Sequence, residues 1–293
     1  ILAKVYENKK KAFQKAGAFL GRAWLAVSSE KRNAIQDAYL YSDTEFWGDS
    51  DQSVYRPVWT LKNLLKHPKF TYLSNRLVES FEEHEKGVKL KVSFVDNGKN
   101  SGARTEVYGD RLILCAGCFG TPQIVLQSFK AFGHRLPILS NPYAYIPCFH
   151  PRLFGFQPRD RRSSFSQLSL HLTATDLVSP TFSSVFSYRS LLTYRLMRET
   201  PLPKRIALDL FRILMPSIAI VTVFHEDLPG SEKHIELLKL GSEQNRLNVF
   251  YRYNAGQEAQ IKTANRRVTK TIRQLGLLPL RIISRSPGSS IHS

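Results

Sequence analysis

Cysteine is close to absent from this chain. Cys115, Cys118 and Cys148 are the only three in 293 residues. An odd, low count rules out a disulfide framework and fits a reducing compartment. Long apolar runs are also missing. A membrane-spanning helix needs about 18 apolar residues in a row, and the longest candidate, 208–224, is interrupted by Arg212 and Pro216. The start, 1–17, is polar and lysine-rich and has no signal-peptide pattern. These absences lead to an expected location in the cytoplasm or at the periphery of the inner membrane. No two glycines stand two positions apart. The Gly-x-Gly-x-x-Gly fingerprint of dinucleotide cradles is therefore missing.

Acidic residues are scarce as well. Asp and Glu number 24 against 42 Lys and Arg, a formal net charge of +18. Such an excess favours anionic partners. The basic residues are scattered, however, and the densest runs are Lys9–Lys11 and Arg159–Arg162. Scattered charge reads as solvated surface. Nucleic acid is set aside because zinc-finger spacing and RNP-like aromatic motifs are both lacking. A basic, non-enzymatic protein docking on nucleic acid or an anionic membrane surface stands as the alternative class of function. The chain begins at Ile1 and ends in a loop-like stretch, Ser286–Ser293. It is expected to be a fragment.

What is present has the pattern of a folded protein. Helical spacing runs in part through Lys4–Leu25, with Phe13, Ala16, Leu20 and Trp24 near one face. A short helix is expected over Val58–Lys66. Leu77–His84 and Val88–Val95 read as strands, the second by clear alternation, and Asn97–Gly102 as the turn into Thr105–Tyr108. Arg111–Cys115 is a continuous apolar run of the kind found in strands buried on both faces of a parallel sheet. After Ala116–Gly120, a helix is expected over Thr121–Phe129, with Thr121 as N-cap and Pro122 in the first turn. The stretch Pro137–Pro158 holds five of the fifteen prolines. Further strands are expected at Ser163–Thr173, Val185–Tyr188, Ile218–Phe224, Ile235–Leu240 and Asn248–Tyr253. An amphipathic helix is expected over Gln257–Leu275, with Ile261, Ala264, Val268, Ile272 and Leu275 at helical spacing.

The segment most able to carry chemistry is Leu112–Ser128, LILCAGCFGTPQIVLQS. A strand ending in a small Ala-Gly turn lets backbone approach a ligand closely. The following helix aims its free N–H groups at the same crevice. Strand ends of this kind are frequent ligand positions in open α/β sheets. Cys115-x-x-Cys118 could be a redox dithiol or half a zinc site. With one further cysteine a Cys-rich tetrahedral site cannot form, and a first cysteine ending a buried strand does not open a thioredoxin-like motif. The spacing is read as accidental, and no metal is expected.

Gly117, Gly120, Thr121, Pro122, Gln123, the aliphatic run 124–126 and Ser128 together resemble the second signature of the glucose–methanol–choline oxidoreductases. In that family the signature closes with Ser-Gly-aliphatic-Gly. Here Ser128 is followed by Phe129, Lys130 and Ala131. The stretch Phe70–Val78 is similar to the one whose valine backbone pairs with the adenine of FAD, and Val78 is the matching position. Pro287–His292 is similar to the run into the family's C-terminal histidine, and His292 is the matching residue. A histidine titrates near neutrality, so it can take the hydroxyl proton as hydride leaves the same carbon.

The resemblance implies an α/β, overall α+β, protein: a partial FAD-binding Rossmann-like domain with a lid or linker segment over 1–140, an antiparallel-sheet substrate domain over 141–283, and a return to the FAD domain as an active-site loop over 284–293. It implies an FAD-dependent oxidoreductase acting on the CH–OH group of an alcohol, sugar or polyol. FAD would be the cofactor, held by Val78, Ala116, Gly117, Gly120, Thr121 and Pro122, and His292 would be the base. The electron acceptor stays unassigned. A homologue that keeps the fold without catalysis is the remaining alternative. Without the glycine fingerprint, this stretch alone is expected to bind FAD poorly or not at all.

Overall fold

A computed structural model describes residues 2–32, 37–39, 53–96, 98–156, 166–173, 175–186, 197–241 and 245–280. The chain divides into two compact units. Unit 1 is formed by 1–59, 141–227 and 255–293, and unit 2 by 60–140 and 228–254.

Unit 1 is built on a six-stranded antiparallel sheet. In spatial order it runs β1 (Ala18–Arg22), β7 (Ser166–Leu172), β8 (Thr181–Phe186), β9 (Ile218–Phe224), β6 (Tyr143–Phe149) and β12 (Leu278–Pro279). On one face, Leu170, Leu172, Val185, Val221 and Val223 pack with Val268 and Ile272 of the long helix α6 (Ala255–Gln274). Tyr6 of α1 (Leu2–Asn8) and Phe13 of α2 (Lys10–Lys15) join the same core. On the opposite face, Phe211 of α5 (Lys204–Leu214) packs with Ile218 and Ile220. Cover on both faces explains the nearly unbroken apolar sequence of β9.

One expectation about unit 1 is corrected, the helical spacing up to Leu25. The helix stops at Lys15 because Gly17 turns the chain at φ +69°, and a Cβ there would stand 2.7 Å from the Thr173 carbonyl oxygen. The chain then enters β1, and Trp24 is 99% exposed. The proline-rich stretch, for which no element was expected, contains the interior strand β6. Pro147 is tolerated there because its carbonyl faces β12 and accepts the Leu280 N–H at 2.8 Å. Its missing N–H therefore falls on the side of a two-residue strand and costs no bond to β9.

Unit 2 has two three-stranded antiparallel sheets and one helix. The first sheet is β2 (Arg76–His84), β3 (Gly87–Asp96) and β4 (Lys99–Gly109), in that order. The second runs β11 (Asn245–Tyr251), β10 (Lys233–Lys239) and β5 (Arg135–Pro137). Helix α4 (Gly117–Ser128) contacts β2 and β10 and buries Ile124 and Leu126. It ends in a Schellman turn: Lys130 takes φ +51°, and the Ala131 and Lys130 N–H groups donate to the carbonyls of Leu126 and Gln127. The remaining described helix, α3 (Pro57–Leu64), closely matches its expected span.

All three sheets are antiparallel, so the expected Rossmann-like parallel sheet is not found among the described residues. The chain is mixed α+β. The apolar run Arg111–Cys115, read as a strand of such a sheet, joins none of the sheets. It has no regular structure, and Ile113 is 85% exposed. An apolar run reports burial on two faces only if strands exist to flank it, and here the local hairpins pair with each other. No helix among the described residues is long and apolar enough to cross a membrane.

His225 follows β9, and its N–H donates to the Pro142 carbonyl at 2.8 Å. Burial pushes its pKa down from 6.5 to about 4, with the Asn265 side chain pulling weakly the other way. The unfolded histidine therefore takes up a proton that the folded one refuses. Stability should be intact above pH 6.5 and fall as the pH drops from 6.5 toward 4. Burial also holds His150 below its ordinary value. Urea unfolding across this range should show the slope, and His225→Gln should flatten part of it. An unchanged profile in the variant would remove His225 as a cause.

Candidate functional site

A cavity of about 700 Å³ opens in unit 2 between β2 and α4. Val78, Leu90 and Arg104 line it from the sheet, and Ala116, Gly120 and Gln123 from the helix side. Leu112, Ile113 and Leu114 add an apolar wall, and Asn245 reaches it from β11. β2 is the outer strand of its sheet, and an edge strand presents a row of backbone donors and acceptors.

Position on the helix side is set at both ends of α4. At its head, Ala116 (φ −84°, ψ 14°) is followed by Gly117 at φ +78°. That turn needs glycine, since L residues avoid positive φ. Gly120 is required for a different reason: a Cβ there would stand 2.9 Å from the Cβ of Ala116. Thr121 is not the N-cap. Helix α4 begins four residues earlier, and the Thr121 Oγ1 accepts the Ala116 N–H at 3.1 Å. Pro122 accordingly lies inside the helix rather than in its first turn. At the other end, Ser128 Oγ accepts the Phe81 N–H of β2 at 2.8 Å and donates to the Ile124 carbonyl at 2.6 Å. Phe81 and Phe129 meet edge to face at 5.7 Å.

Charge in the cavity is mostly paired. Arg104 Nε lies 3.2 Å from Glu79 Oε2. The Arg76 guanidinium sits 3.7 Å above the Phe94 ring, a cation–π contact. Further along the sheet, hydrogen bonds from Lys89 and Lys91 hold the Glu82 carboxyl at about 2. Asn245 Nδ2 donates to Gln127 Oε1 at 2.7 Å, tying β11 to α4.

The predicted cofactor residues fall in two places. Val78, Ala116 and Gly120 line the first cavity. Gly117, Thr121 and Pro122 line a second hollow of about 570 Å³, together with Cys118, Pro137 and Ile235. Leu114 and Cys115 stand in both walls. His292 lies outside the described residues. Gln123, a position of the resembling signature, also lines the first cavity, whereas Arg76, Arg104 and Asn245 were not anticipated. The hairpin register sets Arg104 opposite Ser93, itself opposite Leu77, so Arg104 was in principle readable near Val78. Nothing in the sequence links Gln127 to Asn245, which lies 118 positions away. Among the described residues, no group of three or more His, Cys, Asp or Glu could hold a metal ion. Comparison with protein-family models and with curated proteins finds no match for the chain.

The left-handed turn at the cavity rim gives a direct stability test. Gly117→Ala should cost about 1–2 kcal/mol, the usual price of placing a Cβ at positive φ. Urea denaturation measures it, and a variant as stable as the parent would contradict the assigned backbone.

Proposed function

We propose that the chain is part of an FAD-dependent oxidoreductase of the glucose–methanol–choline type, acting on the CH–OH group of an alcohol, sugar or polyol. The observation that carries this reading is the convergence of Val78, Ala116 and Gly120 on one cavity. They come from two separate stretches of sequence, and both are cofactor positions in the resemblance. The cavity volume lies within the range of about 300–1,000 Å³ common for small-molecule sites. Its walls mix apolar side chains with polar ones, and a purine offers an apolar face and a polar rim.

The fit is to the adenosine end of FAD. Apolar side chains of Leu77, Leu90 and Leu112 would flank the ring, and backbone of the β2 edge near Val78 would meet its polar rim. The pyrophosphate is less well served. The Ala116 N–H at the head of α4 is already taken by Thr121, and the chain has no Gly-x-Gly-x-x-Gly. When bound, the flavin would supply the hydride acceptor. By the resemblance, His292 would take the substrate hydroxyl proton as the carbon–hydrogen bond breaks.

Protein produced from the whole reading frame should be yellow, and its flavin colour should bleach without oxygen when a suitable alcohol or sugar is added. His292→Ala should retain the colour and slow bleaching by about a hundredfold, as expected when a general base is lost. A colourless protein that takes up no FAD would overturn the reading. Unchanged bleaching in the variant would remove His292 from it.

A further inference from the structure

We propose that Cys115 and Cys118 form a reversible dithiol–disulfide site at the head of α4. No buried strand ends at Cys115, because the segment before it joins none of the sheets. Both thiols are exposed, and both line the 570 Å³ hollow. Between them the chain bends at Ala116 (φ −84°) and passes through Gly117 at φ +78°. Three residues of chain span at most about 10 Å even when extended, and a bend shortens that toward the Cα separation of about 4.4–6.8 Å that a disulfide needs. Gly117 also lets the turn adjust, since glycine moves through positive φ at little cost. The Thr121 hydroxyl anchors the bend at Ala116, and Cys118 is the second residue of α4.

Cys148 provides an internal contrast. It is fully buried in unit 1, and burial pushes its thiol up to about 12. The thiolate is the reactive species, so Cys148 is inert in the folded chain.

The chemistry is disulfide exchange with a small-molecule disulfide such as glutathione disulfide. One cysteine, as thiolate, attacks a sulfur of the oxidant and releases one glutathione thiolate. The other, also as thiolate, then attacks the mixed disulfide and releases the second. The pair loses two protons and two electrons. The oxidant's sulfur–sulfur bond takes up both electrons, and the two released thiolates take up the protons. Closing the bridge draws Cys115 toward Cys118, which lines only the second hollow. Because Cys115 also lines the 700 Å³ cavity, its wall differs between the oxidised and reduced chain. The inference is independent of the flavin reading and applies to the chain without nucleotide.

The test uses the native full chain equilibrated in glutathione redox buffer, quenched with alkylating agent and digested with trypsin. The peptide Leu112–Lys130 carries both cysteines, and Cys148 lies in Leu136–Arg152. Under oxidising buffer the first peptide should carry neither alkyl group and weigh two hydrogens less than the free dithiol, and should regain reactivity on reduction. In Cys118→Ser, Cys115 should stop at the glutathione adduct. Two glutathione adducts on the parent peptide, cross-linked chains, or two thiols still fully alkylated in oxidising buffer would each overturn the proposal.

Discussion

The Ser128 hydroxyl joins the last turn of α4 to the edge of a sheet, accepting the Phe81 N–H at 2.8 Å while donating to the Ile124 carbonyl at 2.6 Å. β2 is an outer strand, so one row of its backbone groups has no strand to meet. Ser128 satisfies one of these groups and fixes the helix in the same contact. Phe129 adds its ring contact with Phe81, and Lys130 accepts a left-handed backbone so that the chain can leave the helix toward β5. A side chain at positive φ costs roughly 1–2 kcal/mol, and the Schellman hydrogen bonds and the buried Leu126 offset it.

With the end of α4 held, its head is placed as well. The 12-residue helix carries Gly117 and Gly120 to a fixed distance from β2. Both glycines serve geometry there, one by its φ and the other by the 2.9 Å approach to Ala116. The space between Gly120 and Val78 is the larger cavity. Cys115 and Cys118 flank the same turn, so any change in their covalent state acts where the cavity wall is set.

Much of this was legible in the sequence, and the failures have physical causes. Alternation in Val88–Val95 marked β3, and the periodicity of Gln257–Leu275 marked α6, because each element has one face in a core. Arg111–Cys115 misled because an apolar run reports hydrophobicity and cannot report whether partner strands exist. β6 was obscured by Pro147, whose tolerance depends on β12 lying more than 130 positions later. In the site, Val78, Ala116 and Gly120 were found through resemblance and local turn chemistry. The Gln127–Asn245 hydrogen bond joins residues that only the folded sheet brings together. The role of Ser128 was hidden for the same reason, since its partner Phe81 is 47 positions away.

The central claim is that the space between the β2 edge and Gly120 at the head of α4 receives the adenosine end of a dinucleotide. The most direct measurement is a titration of the full chain with AMP, followed by amide chemical shifts. The account predicts weak, saturable shifts concentrated at Val78, Glu79, Ala116 and Gly120, and their loss when Gly120→Ala forces the turn out of place. Shifts confined to other residues, or none at all with the chain folded, would contradict it.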